Sequence, residues 1–340
     1  MESLPELGRC GQKPLISIVI PTRNASRFLG GCLDSVRKLD YPADRIEVIV
    51  VDGCSRDGTR EIALQHRVRL ATNTQEMEPV GRKLGVDMAR GSLVAFTDAD
   101  CLVDPHWLRN SLAYFADETV AGVGGINLTP EHDSRFAKAV GFIFSQPLFS
   151  GGSYYARILK EVRAVGDLPW CNAVYRRAIL TRALASSDPA TLVCTDIVIN
   201  RSITAMGYTL LYAPDVRVWH YRRSNPIGLF IQMHKYARGR LQLGRASPEM
   251  LQPMHLLAGL AIPIFMGGGI GLLLVAPRTA AFFFGVGFLV VWWFCVLAFW
   301  RERSAGTALC VPLVIATMML GWSSGFLHEL LFPYQGSLRS

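Results

Sequence analysis

The eight cysteines, at positions 10, 32, 54, 101, 171, 194, 295 and 310, include no C-x-x-C pair. That spacing argues against a zinc module and against a disulfide framework, and it suits a reducing compartment. Residues 1–9 contain no apolar run, so no cleaved leader is expected. A basic stripe interleaved with stacking aromatics is also missing, although the net charge is +8. No nucleic-acid partner is therefore expected. The cations crowd instead just ahead of the apolar C-terminal third, at Arg217, Arg222, Arg223, Lys235, Arg238, Arg240 and Arg245, and between two of its segments, at Arg301 and Arg303.

The chain has 340 residues and is 50% hydrophobic, but the hydrophobicity is uneven. Residues 1–250 have the composition of a globular domain, and the apolar runs begin near His255. Three stretches, 256–276, 279–300 and 305–331, approach or exceed the ~20 residues that cross a bilayer. Pro263 and the run Gly267-Gly268-Gly269 interrupt the first, which membrane helices tolerate, and the glycines would offer a close packing face. Residues 227–243 place Leu229, Phe230, Met233 and Leu241 on one helical face opposite several cations, which predicts a helix lying in the membrane interface. Cations before the first span and at Arg301 and Arg303 outnumber Arg278 and Arg339 on the other side. The positive-inside rule then leaves the N-terminal domain in the cytoplasm and the C-terminus outside.

Ahead of the spans, apolar runs alternate with helical spacing. Strands are predicted at 16–22, 45–51, 68–71 and 92–97, with helices between them and a helix at 79–90. This is the rhythm of parallel βαβ units, in which ligands gather at the strands' carboxyl ends. Thr22, Asp52, Asp98 and Asp100 fall there. Residues 119–127 add a strand and 176–185 a helix. A further helix begins at Thr195-Asp196 and closes at Gly207, and short strands follow at 209–212 and 216–219. Residues 128–170 show no clear periodicity. On an extended segment Asp98 and Asp100 would share a face and offer a hard divalent cation two carboxylates.

Pro21-Thr22-Arg23-Asn24, Val51-Asp52-Gly53-x-Ser55-x-Asp57-Gly58-Thr59, Gly81-Arg82, Asp98-Ala99-Asp100 and Thr195-Asp196 occur in one order and spacing. In this they resemble the inverting family 2 glycosyltransferases over roughly residues 15–240. Trp170-Cys171-Asn172-Ala173-Val174-Tyr175-Arg176-Arg177 and the apolar tail look most like the succinoglycan-type exopolysaccharide glucosyltransferases. The resemblance implies a GT-A fold, a Rossmann-like mixed α/β sheet, for residues 15–225. An N-terminal tail (1–14), an interfacial helix and linker (226–250), three transmembrane helices (251–332) and a C-terminal tail (333–340) complete the expected organisation.

The resemblance also implies roles. Pro21, Thr22, Asn24, Asp52, Gly53, Arg82, Asp98, Ala99, Arg222 and Arg223 would bind a nucleotide-sugar. Asp52 would accept the uracil N–H, at a place where the family often has a second acid and this chain has Gly53. Asp98 would hold the ribose and Asp100 a Mg²⁺ or Mn²⁺ ion, with His220 as a second ligand. Asp196 would be the general base, in a motif where Thr195 replaces the family's Glu. Gln232, Lys235 and Tyr236 resemble a Q-x-x-R-W motif that helps bind the acceptor end, with Lys in place of Arg. Trp170, Tyr154 and Tyr155 are aromatics that stack on a sugar or pack in the core.

The expected activity is transfer of a hexose from a nucleotide-sugar, a UDP-sugar first, to a hydroxyl of a lipid-linked or growing glycan acceptor at the cell membrane. Membrane lipids are its expected surroundings. A polyprenyl-phosphate glycosyltransferase and a non-catalytic GT-A membrane scaffold are the alternatives.

Overall fold

A computed structural model describes residues 13–151, 156–186 and 195–334. Among these, one compact unit holds residues 13–128 and 156–220, and a second holds 129–151 and 221–334.

The first unit opens with β1 (Ile16–Thr22), α1 (Leu29–Arg37), β2 (Ile46–Asp52), α2 (Thr59–Gln65), β3 (Arg69–Thr72), α3 (Glu78–Met88) and β4 (Leu93–Thr97). β1, β2 and β4 are largely apolar runs buried on both faces, as a helix-covered parallel sheet requires, whereas β3 at the sheet edge is half-buried. Side chains alternate, so Ile16, Ile18 and Ile20 pack beneath Leu29, Cys32, Leu33 and Val36 of α1. Val19 joins Ile49, Val51 and Val86 on the other face. Burying each such side chain stabilises the fold by ~1.5–3 kcal/mol. At Gly85 a Cβ would stand 2.3 Å from Val19 Cγ1, so glycine lets α3 lie directly on β1.

Beyond β4 the order changes. β5 (Cys101–Val103), α4 (Trp107–Tyr114) and β6 (Val120–Leu128) follow in this unit. α5 (Arg135–Phe144), in the second unit, fills the stretch that lacks legible periodicity. β7 (Arg163–Val165), β8 (Asn172–Arg176), α6 (Arg177–Ala185), α7 (Thr195–Ala205) and β9 (Thr209–His220) complete the first unit. The sheet order is β3-β2-β1-β4-β8-β6-β9-β5, with β7 against β9. β1 to β4 pair in parallel, as the spacing predicts, but β8 enters antiparallel between β4 and β6 and makes the sheet mixed. The two strands expected at 209–219 are one. The register of β9 against β6 jumps from Gly125↔Ala213 to Ile126↔Arg217, and the extra residues, which include Pro214, form the irregularity.

One buried charge ties the parallel edge together. Glu47 of β2 accepts from Ser17 Oγ of β1 (2.6 Å), from the Arg90 backbone N–H (3.0 Å) and Nε (2.7 Å), and from Arg69 of β3. Burial alone would raise its pKa, but these donors outweigh burial and hold the carboxyl at about 2.

The second unit contains α8 (Pro226–Ala246), α9 (Pro253–Pro263), α10 (Gly269–Val275), α11 (Pro277–Glu302) and α12 (Ala305–Leu331) besides α5. A π-helical turn at Ile264–Gly268 joins α9 to α10, so the apolar run bends without ending. Pro253–Val275, Pro277–Glu302 and Ala305–Leu331 are long and apolar enough to cross a membrane. Leu274, Val275, Trp292, Trp293 and Leu309 are exposed along them.

The apolar face of α8 does not face outward. Leu229, Met233, Ala237 and Leu241 are buried, and Ala237 and Leu241 cluster with Phe326 of α12. Close packing occurs at Gly321 and Gly325, spaced G-x-x-x-G, whereas in the glycine run Gly269 approaches the Phe284 ring. A Cβ at Gly325 would lie 2.2 Å from the His234 carbonyl oxygen, whereas Gly267 and Gly268 meet no described atom within 4 Å. The fully buried Glu329 of α12 accepts from Arg238 Nε (3.1 Å), Gln242 (2.9 Å) and Arg245 (2.9 Å) of α8. Two of the cations of α8, Arg238 and Arg245, thus serve its packing partner.

Candidate active site

β1 and β2 end level, with Thr22 opposite Asp52. The Gly53 N–H donates to the Thr22 carbonyl (2.8 Å), which closes the crevice floor. Asp52 is fully buried and accepts from the Ser55 N–H (3.2 Å) and from Arg60 Nη1 of α2 (2.9 Å). Asn24 adopts φ 49°, donates its N–H to Ser55 Oγ (2.8 Å) and accepts from the Arg56 N–H (2.8 Å). These bonds fasten the loop after β1 to the loop after β2. Pro21 is the penultimate residue of β1, opposite Val51.

β4 stops at Thr97, and Asp98-Ala99-Asp100 is a turn closed by the Cys101 N–H on the Asp98 carbonyl (3.0 Å). Strand alternation therefore does not govern the two carboxylates, and they meet different partners. Asp98 pairs with Arg82 Nη2 of α3 (2.9 Å), and Arg82 also binds Glu78 one turn earlier. The Arg82 guanidinium lies 5.3 Å from the centre of the Trp170 ring. Trp170 itself is buried and stacks on Phe96 at 4.9 Å, so its ring is part of the core. Ala99 is buried inside the turn. Arg82 Nη1, Thr22 Oγ1 and Thr97 Oγ1 are buried polar atoms with no partner among the described residues. Three unmet groups at or beside the ends of β1 and β4 make a polar cradle.

Asp100 finds its partner through the sheet. β5 pairs with β9 so that Cys101 lies opposite His220, which brings His220 Nε2 to 3.3 Å from Asp100 Oδ1. Asp100, Cys101 and His220 can direct one ligand atom each to points within 4.8 Å of one another. Burial pushes the Cys101 thiol well above its ordinary pKa, so it stays protonated and leaves a carboxylate and an imidazole. That donor pair fits Mn²⁺ or Mg²⁺ completed by phosphate oxygens.

Asp196 stands in the first turn of α7 and accepts from the Ile197 N–H (3.0 Å). Burial, reinforced by the charge of Asp167 and opposed by Arg82, raises its pKa to about 8. A carboxylate with that affinity can take a proton near neutral pH.

With this geometry in hand, the comparisons with known proteins are informative. Residues 17–183 match the profile of glycosyl transferase family 2. The chain carries a family 2 glycosyltransferase domain. Succinoglycan biosynthesis protein ExoA of Rhizobium meliloti is 26% identical over 340 residues, covering 92% of this chain and 94% of that one. A Methanococcus voltae enzyme named dolichyl N-acetyl-alpha-D-glucosaminyl phosphate 3-beta-D-2,3-diacetamido-2,3-dideoxy-beta-D-glucuronosyltransferase is 23% identical over 249 residues, 70% of this chain and 74% of its own. Several other relatives match over only 108 to 125 residues, 19% to 45% of their own lengths. Mannosyltransferase PcManGT from Pyrobaculum calidifontis, solved with GDP-Man and Mn²⁺, superposes with a TM-score of 0.66 at 19% identity, over 95% of this chain and 89% of that one. The fold is therefore GT-A-like.

Within the first unit the structure brings Arg82, Asp98 and Trp170 together, and separately Asp100 with His220. The sequence candidates Arg222, Arg223, Gln232, Lys235 and Tyr236 belong to the second unit. There the Arg222 backbone N–H donates to Asp133 (3.2 Å) and its guanidinium lies over Phe144. Arg223 and Lys235 are exposed, and Gln232 donates to the Tyr236 hydroxyl (3.1 Å). Tyr154 and Tyr155 lie outside the described residues. Arg60, Glu78 and Asp167 were not legible as site neighbours. Arg60 alone carried a signal, a cation one turn into the helix after Asp52-Gly53.

Proposed function

We propose that this glycosyltransferase moves a hexose from a UDP-sugar, with inversion, to a hydroxyl of a lipid-linked or growing glycan at the membrane. The supporting observation is one convergence at the carboxyl ends of the sheet. It joins a cation with a free donor (Arg82), a ribose-class acceptor (Asp98), a carboxylate–imidazole pair (Asp100 and His220) and a carboxylate poised near neutral pH (Asp196).

In this reading Asp52, at the floor, accepts the uracil N–H beside its bond from Arg60; Pro21, Thr22, Asn24 and Gly53 shape the pocket around the base. Asp98 accepts from ribose hydroxyls, and Ala99 holds the turn tight. Asp100 and His220 would hold a Mn²⁺ or Mg²⁺ ion, which when bound neutralises diphosphate charge. Asp196 takes the proton of the acceptor hydroxyl as its oxygen bonds to the anomeric carbon and the bond to the diphosphate breaks. Arg82 directs its unpartnered Nη1 at an oxygen of the departing nucleotide. Arg222 and Arg223 supply further positive charge, and Gln232, Lys235 and Tyr236 contact the acceptor.

A membrane-bound acceptor gives the three apolar helices a purpose, and the Methanococcus relative, named for a sugar added to a dolichyl-linked saccharide, supports that acceptor class. The catalytic domain then faces the cytoplasm, where nucleotide-sugars are made, in agreement with the cation distribution. Asp196→Asn separates a hydroxyl acceptor from a phosphate acceptor, which needs no base. The expected result is loss of at least ~100-fold in transfer with UDP binding retained. Full activity would favour transfer to a polyprenyl phosphate, and failure of the wild type to bind UDP with Mn²⁺ would favour a scaffold.

A further inference from the structure

Asn200 is fully buried one helical turn after Asp196, on the same face of α7. Its side-chain amide is saturated. It donates to Asp167 Oδ1 (2.9 Å) and to the Leu168 carbonyl (2.8 Å), and it accepts from the Tyr175 hydroxyl of β8 (2.7 Å). The segment Asp167-Leu168 is thereby fastened to the helix that carries the base. The Asp167 carboxylate is therefore bound one helical turn along α7 from Asp196. Leu168 is buried in the same core as Tyr175, Ile199 and Ile203, so the clamp is anchored rather than floating. An amide at Asp167 could accept the same hydrogen bond from Asn200.

We propose that Asp167 is a positioning residue for Asp196, holding the base through the Asn200 clamp and facing it with a like charge. The proposal rests on the reading of Asp196 as the general base. The groups that act on Asp196 are Arg82 and Glu78 of α3, Asp167 ahead of β8, Tyr175 of β8 and the Ile197 N–H of its own helix. Of these, Arg82 and the N–H favour the ionised form, and the two acids oppose it. Asp167 is the larger opposing charge. Removing it makes Asp196 ionise at lower pH, so transfer turns on earlier as pH rises.

The test is the pH profile of kcat/KM for the full-length protein in detergent with native membrane lipids, Mn²⁺ and UDP-glucose, or failing turnover the next nucleotide-sugar of a panel. Asp167→Asn keeps the acceptor for Asn200 and is expected to move the acid limb down by about one pH unit, with plateau kcat within ~3-fold. Asp167→Ala removes the clamp as well and is expected to lower kcat ~10-fold with the donor KM unchanged. An acid limb that stays in place in Asp167→Asn overturns the proposal. If Asp196→Asn is itself fully active, the base reading has failed instead.

Thermal unfolding gives the same test without turnover. A carboxyl whose pKa is raised by folding stabilises below its unfolded value and loses that contribution as pH rises through about 8. Asp167→Asn should therefore raise the melting temperature more at pH 9 than at pH 6, and the difference should vanish in an Asp196→Asn background. A difference that persists there assigns the effect of Asp167 to something other than Asp196.

Discussion

Arg82 joins several of the site's side chains. It is buried, binds Glu78 and Asp98, lies against Trp170, and keeps Nη1 without a partner among the described residues. A lysine has the charge but not the fork, so it cannot satisfy Asp98 and reach outward together. Arg82→Lys is expected to lower kcat/KM for the donor ~10–100-fold and to weaken UDP binding measured by calorimetry, with the fold intact. Unchanged UDP affinity would remove Arg82 from the donor site. Residue identity was legible here because Gly81-Arg82 follows a motif order. Its partner Asp98 was not, since the two become neighbours only once α3 has packed against the sheet, whereas Glu78 lies one turn earlier on the same helix. The same holds for Asp100 and His220, which are 120 positions apart and meet through the antiparallel pairing of β5 with β9.

At the scale of elements, local signals sufficed where contacts are local. The apolar runs of β1, β2 and β4 and the helices between them follow from periodicity, because parallel βαβ units repeat along the chain. β8 breaks that rule by entering from a distant segment, and α5, though strongly amphipathic, lies inside a stretch whose flanks carry no regular period. Asp98 and Asp100 were expected on one strand face and instead occupy a turn, since the ladder ends one residue earlier. Glu47 offers a clean test of the parallel edge. Folding lowers its pKa from 4.5 to about 2, so its contribution is present above pH 4.5 and is lost as pH falls toward 2. Glu47→Gln should cost about 3 kcal/mol at pH 7, seen as a drop in melting temperature that narrows in acid. An equal drop at pH 7 and at pH 3 would show that packing, not charge, carries the effect.

For the molecule as a whole, the apolar helices were legible by length, but their packing partners were not. The face of α8 that reads as membrane-facing is covered by α12, and two of the helix's cations, Arg238 and Arg245, converge on Glu329. Gly325→Leu forces α8 away from α12 and should destabilise the protein by ~2–3 kcal/mol in detergent, lowering the yield of monodisperse protein. Gly267→Ala, in open space, should leave both unchanged. The central claim is that the GT-A-like domain and the membrane helices serve one reaction, metal-dependent transfer from a UDP-sugar to a membrane-held acceptor. The most direct measurement incubates the purified protein with native lipids, Mn²⁺ and a panel of radiolabelled nucleotide-sugars and counts label in the organic extract. The account predicts that one UDP-sugar labels the extract, that chelation abolishes the signal and that Asp100→Ala gives no label. Label that survives chelation, or that comes only from a donor without uracil, would contradict it.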